Sequence, residues 1–201
     1  SNKALNIKKG KVEITFDENI NVLKASENVI ISPPQREMPD IKSYGKTVTV
    51  QLNDTLLPNT TYSINFGDAI VDNNESNPLK NYFFAFSTGS EIDTMQIAGT
   101  LVDAKNLNPV QGVTVGIHSD LSDTVFLKRP FLRISRTDDR GRFTVPNVRN
   151  GMYRVYALTD GNRDNFYPPG EALAFTPSVF TTSLENYMRS DTIWRDSLTV
   201  D

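Results

Sequence analysis

The 201-residue chain has no cysteine, one histidine and one tryptophan. Without cysteine there is no disulfide, no thiolate nucleophile and no thiolate metal site. That absence does not fix a compartment, because a reducing cytosol tolerates it and so does an envelope protein. The one histidine, His118, cannot build the three- or four-ligand sites of zinc enzymes. Any Ser–His–Asp or Cys–His chemistry would rest on it alone, and no Gly-x-Ser-x-Gly turn accompanies it. His118 ends an alternating segment, so it is expected at the surface or with its hydrogen bonds satisfied. No run approaches the ~20 apolar residues of a membrane helix. No segment is strongly basic and the formal net charge is −3, so no broad face attracts a nucleic acid. Neither the Gly-x-Gly-x-x-Gly fingerprint nor a phosphate-binding loop occurs.

Alternation of polar and apolar residues is abundant. Lys11-Val12-Glu13-Ile14-Thr15-Phe16, Thr47-Val48-Thr49-Val50-Gln51-Leu52 and Thr61-Tyr62-Ser63-Ile64-Asn65-Phe66 have the period of half-buried strands. Val29-Ile30-Ile31 stops at Ser32-Pro33-Pro34, since proline cannot donate to a ladder. In Tyr82-Phe83-Phe84-Ala85-Phe86-Ser87 the alternation puts Tyr82, Phe84 and Phe86 on a core face and Phe83 on the other. A polar break, Thr88-Gly89-Ser90-Glu91, divides the chain into residues 1–90 and 91–201. Five further strands are predicted at 95–102, 113–118, 131–135, 142–145 and 152–158. Thr137-Asp138-Asp139-Arg140-Gly141-Arg142-Phe143 reads as a hairpin with Gly141 at positive φ, and Asn150-Gly151 as a second tight turn. A short helical turn from Thr182 to Met188 and a strand over 193–200 are expected. The fold class is therefore all-β: two tandem β-sandwiches with little helix.

The chain resembles known families in both halves. Val12 to Ile20, Ile31-Ser32-Pro33-Pro34, Leu57-Pro58-Asn59-Thr60-Thr61-Tyr62, Asp68 to Leu79 and Phe84 to Gly89 are similar to bacterial Ig-like domains of the surface-layer type. Ile97 to Asp103, Pro109 to Val115, Thr137 to Phe143 and Asn150 to Val155 resemble transthyretin-like modules of the carboxypeptidase-regulatory type. In tandem the two look like envelope lipoproteins of Gram-negative bacteria. The resemblance implies a non-enzymatic role in the periplasm or at the outer-membrane surface. Ser1-Asn2 reads as a remnant of cloning, so an upstream start carrying the membrane anchor is expected, and Asp201 is expected to lie inside a longer protein.

Few residues suggest chemistry. In Asp160-Gly161-Asn162-Arg163-Asp164-Asn165, oxygen side chains occupy loop positions 1, 3 and 5, and Glu171 stands at position 12. This is the oxygen spacing of an EF-hand, so Asp160, Asn162, Asp164 and Glu171 are the candidate ligands of a calcium ion. Against it, Asn165 replaces the turn glycine, the flanks are not helical, and Asx-turns explain the same side chains. Asp68, Asp72, Asn74 and Glu75 form a second acidic cluster, read first as a long turn. An internal Lys–Asn bond is rejected for the second half, which offers neither the lysine nor the inward glutamate. Exposed aromatics could serve a sugar, with Phe166-Tyr167, Tyr187 and Trp194 as platforms. The favoured function is a structural spacer or adhesion-type stalk. A surface module binding carbohydrate or protein is the first alternative, and a glycan hydrolase subunit with paired carboxylates the second.

Overall fold

A computed structural model describes residues 2–161, 165, 167 and 170–183. Among these the fold is all-β with one four-residue helix, in line with the alternation.

The first half contains β1 (Lys11–Thr15), β2 (Ile20–Val22), α1 (Ala25–Asn28), β3 (Ile30–Ser32), β4 (Asp40–Tyr44), β5 (Thr47–Gln51), β6 (Thr61–Gly67), β7 (Ile70–Asp72) and β8 (Tyr82–Ser87). One antiparallel sheet has the order β1-β5-β4 and the other β3-β6-β8, with β2 and β7 paired beside them. Val12, Ile14, Val48, Val50, Tyr62, Ile64, Phe66, Phe84 and Phe86 close one core between the sheets. Phe84 and Phe86 take the core face that alternation assigns them, and Tyr82 packs against it. Tyr62 and Phe86 stack at 5.2 Å. The chain's start runs along β8, where Lys3 N–H donates to the Ala85 carbonyl at 2.7 Å. That contact covers a strand edge otherwise open to pairing.

The second half contains β9 (Met95–Thr100), β10 (Thr114–His118), a 3₁₀ turn (Val125–Leu127), β11 (Arg133–Arg136), β12 (Arg142–Val148), β13 (Gly151–Leu158), β14 (Leu173–Phe175) and β15 (Phe180–Thr182). The larger sheet runs β11-β10-β13-β14, with β15 also on β13, and β12 pairs with β9. The turn after β11 is therefore not a hairpin. Asp138 N–H donates to the Arg142 carbonyl at 2.9 Å and Gly141 has φ +70, as the turn chemistry predicts. Yet β11 pairs with β10 and β12 with β9, so the turn carries the chain from one sheet to the other. The helical turn expected at 182–188 begins on Thr182, which is in β15. Its remainder from residue 184, like the strand expected at 193–200, lies outside the described residues.

The five-stranded sheet is covered on both faces. Val115, Ile117, Val155 and Ala157 meet β9 and β12 on one side. On the other, Val125, Phe131, Ile134, Tyr156 and Leu158 form a separate cluster beneath the segment between β10 and β11. The Phe131 ring lies directly over Gly116, where a Cβ would collide with it. Ile30 of the first half packs into this cluster, so the two halves share it.

Candidate functional site

The most distinctive polar chemistry lies where the halves meet. Alternation points Tyr62, Ile64 and Phe66 into the first core and leaves Thr61 and Ser63 on the opposite face of β6. That face is not in water: Ser32, Thr61, Ser63 and Ser87 are all buried. β11 and β12 cover it. Arg133, 4% exposed, donates through Nη2 to the Thr61 carbonyl. Ile134 N–H donates to Ser32 Oγ at 3.2 Å, and Arg136 Nη1 to the Glu27 carbonyl at 2.7 Å.

Asp93, in the connection between the halves, is the hub. Its N–H donates to Thr61 Oγ1 at 2.9 Å, and Thr61 Oγ1 donates back to its carboxylate at 3.0 Å. Arg149 Nε donates to the same carboxylate at 3.0 Å and Nη2 reaches the Asn59 carbonyl at 2.7 Å. Asn147 Nδ2 donates to the Asp93 carbonyl at 2.6 Å. Burial pushes the Arg133 guanidinium down to about 10, against the pull of Asp93. It stays charged at neutral pH, because the carboxylate offsets part of its lost hydration. Two clefts flank the junction. One, of about 510 Å³, lies between α1, β4 and β11, and the other, of about 460 Å³, contains Asp93, Arg133 and Arg149.

The residues singled out in the sequence fare differently. Asp160 and Glu171 each bond the backbone of their loop. Glu171 Oε1 accepts the Gly161 N–H at 3.0 Å, and Asp160 Oδ2 accepts the Asn165 N–H at 3.0 Å. Asn162 and Asp164 lie outside the described residues. No group of three or more acidic or histidine side chains is placed to hold a metal among the described residues. Asp72 accepts backbone N–H groups of Asn74, Glu75 and Asn77 at 2.9, 2.5 and 2.8 Å, which pull its pKa down, Glu75 most. Its cluster is a turn held by its own backbone. Tyr167 packs edge-on against Phe126 at 5.4 Å; Phe166, Tyr187 and Trp194 lie outside the described residues.

His118 departs from its expectation. It is 3% exposed, wedged between the rings of Phe131 at 5.1 Å and Tyr156 at 5.7 Å. Its Nε2 has no hydrogen-bond partner among the described residues. Burial lowers its pKa to about 4, with Asp120 and Arg129 pulling in opposite directions. It is a neutral core residue. Sequence reasoning missed this because nothing marked the segment after β10 as a covering layer. The apolar Val125-Phe126-Leu127 and Phe131-Leu132 within a loop were the available signal. Arg133 and Asp93 were missed too; a charged residue inside an otherwise apolar and hydroxyl strand was the only hint of the former.

Residues 1–88 match the family described as bacterial Ig-like domain. No curated protein matches the chain. Among solved structures, the N-terminal part of the bacterial S-layer protein SbsC is 16% identical, with 86% of this chain covering 42% of that one at a TM-score of 0.31. The T6 backbone pilin of serotype M6 Streptococcus pyogenes is 14% identical, with 88% covering 41% at 0.30. The major pilin subunit BcpA of Bacillus cereus is 13% identical, with 89% covering 57% at 0.28. The chain thus spans less than two thirds of each, and superpositions this loose carry no argument about its role. No helix among the described residues is long and apolar enough to cross a membrane.

Proposed function

We propose that this chain is a non-catalytic spacer within an envelope protein of a Gram-negative bacterium, held outside the cytoplasm. In this reading an Ig-like sandwich and a transthyretin-like one divide near residues 89–94, and their value lies in a stiff joint. The single observation that carries it is Asp93. It sits in the connection itself and bonds to Thr61 on one side and to Asn147 and Arg149 on the other. A flexible linker would be polar and unbonded; this one is fastened from both ends. The bacterial Ig-like match over residues 1–88 supports the envelope setting.

Residual dipolar couplings test the joint. One alignment tensor is expected to fit the amides of both halves, and Asp93→Ala with Arg149→Gln is expected to split it into two. Two tensors in the unaltered protein would refute the spacer reading.

The calcium reading of Asp160, Asn162, Asp164 and Glu171 stands as a second proposal. Its support is that Glu171 Oε2 is enclosed with no hydrogen-bond partner among the described residues, while Oε1 closes the loop on Gly161. A melt in Ca²⁺ and then in EDTA decides it. A native-state ligand raises the midpoint with occupancy, by about 2.7 kcal/mol at a hundredfold excess over Kd. A midpoint indifferent to both, or a rise that survives Asp160→Ala, removes calcium from the loop.

A further inference from the structure

We infer that the smaller of the two junction clefts is a binding site for a carboxylate carried on an apolar body. The cleft, about 460 Å³, takes Pro33 and Leu57 from the first half and Leu121, Leu132 and Met152 from the second. Sites for small ligands run from roughly 300 to 1,000 Å³, mostly apolar with a few convergent polar groups. Arg133 and Arg149 are those groups.

Three observations converge on an anion. The first is unused donor capacity. A guanidinium offers five N–H donors in a planar fork. Arg133 spends Nη2 on the Thr61 carbonyl, while Nη1, also enclosed, has no hydrogen-bond partner among the described residues. Leaving a charged donor buried and unmade is costly, so a partner that completes it gains correspondingly. The second is charge. Two arginines share the cleft with one carboxylate, Asp93, which Arg149 and Thr61 already engage. The surplus is a single positive charge, which suits a monoanion better than a phosphate dianion. The third is shape. A carboxylate oxygen can accept from the Arg133 Nη1 N–H groups that Thr61 leaves unused, and the leucine and methionine walls favour an apolar body behind it. A free organic acid and the C-terminal carboxylate of a peptide present this same chemistry. The site stands whether or not the chain serves as a spacer.

The test uses the whole chain and four probes: 4-phenylbutyrate, its amide, acetyl-Leu-Leu with a free C-terminus, and the same peptide amidated. Binding is followed by calorimetry and by the arginine side-chain ¹⁵N signals. At least one acid is expected to bind roughly tenfold or more tighter than its amide, the scale of a charge-assisted hydrogen bond. The phenylbutyrate arm alone responding assigns a small-molecule site, and the peptide arm responding assigns a chain end. Met152→Glu sets a competing carboxylate at a residue 55% exposed, where it does not disturb the core, and is expected to weaken binding by a similar factor. Arg149→Gln is expected to do the same, with melts reporting that each variant is folded. The proposal fails if amides bind as well as acids, or if Met152→Glu leaves affinity unchanged. It fails equally if no probe moves an arginine signal at about 10 mM, where even a millimolar site is about nine-tenths filled.

Discussion

The two sheets of the first half have the same alternation and meet different neighbours. In β1-β5-β4 the polar positions include Lys11, Glu13, Asp40 and Lys42, and all four are exposed. In β3-β6-β8 they include Ser32, Thr61, Ser63 and Ser87, and all four are buried under the second half. Alternation reports the pleat, not the solvent. What separates the sheets is the kind of polar residue. A hydroxyl can be buried at little cost once it is hydrogen-bonded, whereas a charge needs a partner of opposite sign. Thr15, Thr47 and Thr49 share the open face with Lys11, Glu13, Asp40 and Lys42, so it is the charges, not the hydroxyls, that distinguish an open face from a covered one.

The sharpest way to break this comparison is to make the faces alike. Ser63→Lys drives an unpaired cation into the junction and is expected to cost about 3–5 kcal/mol. Thr49→Lys on the open sheet falls between Glu13 and Lys42 across the strands and is expected to change stability by about 0.5 kcal/mol or less. Urea midpoints measure both; equal costs would show that the junction is open to water.

The second half extends the comparison, because its larger sheet is buried on both faces and one of those layers holds His118. The folded pKa is about 4 against an ordinary 6.5. Between those values the unfolded chain binds a proton that the folded chain does not. Stability therefore rises with pH through this window and is lost as pH falls from 6.5 toward 4, by about 3 kcal/mol in all. His118→Phe is expected to flatten that limb in thermal melts taken from pH 7 to pH 4. An unchanged slope would mean the imidazole titrates in water. Gly116→Ala, beneath the Phe131 ring, is expected to cost about 1–3 kcal/mol and to shift the Phe131 ring resonances. No cost would mean that the outer layer yields freely.

Legibility in the sequence followed length and one-sidedness. The strands at 11–15, 47–51 and 61–67 were readable because each shows two or more cycles of the period, and 82–87 because it is a short aromatic run. β2, β7, β14 and β15, at three residues each, are too short to show one and were not anticipated. β4 was missed despite alternating burial, since Asp40-Ile41-Lys42-Ser43-Tyr44 has a single aliphatic residue. The turn at Asp138 was read correctly in its chemistry and wrongly in its topology. Turn residues specify local φ and ψ, and which sheet receives the next strand depends on contacts distant in sequence.

By itself the sequence determined the class: β-strands with one polar and one apolar face, no thiol chemistry and no helix to span a bilayer. These follow from period and composition, which are local. Only the tertiary structure decided that Ser63 and Thr61 face a second half, that His118 lies under Phe131, and that Arg133, Arg149 and Asp93 share one cleft. Each depends on residues some 13 to 72 positions apart being brought together, as Phe131 is to His118 and Arg133 to Thr61. Such pairings are selected by the burial of whole surfaces, and no short window of residues records them.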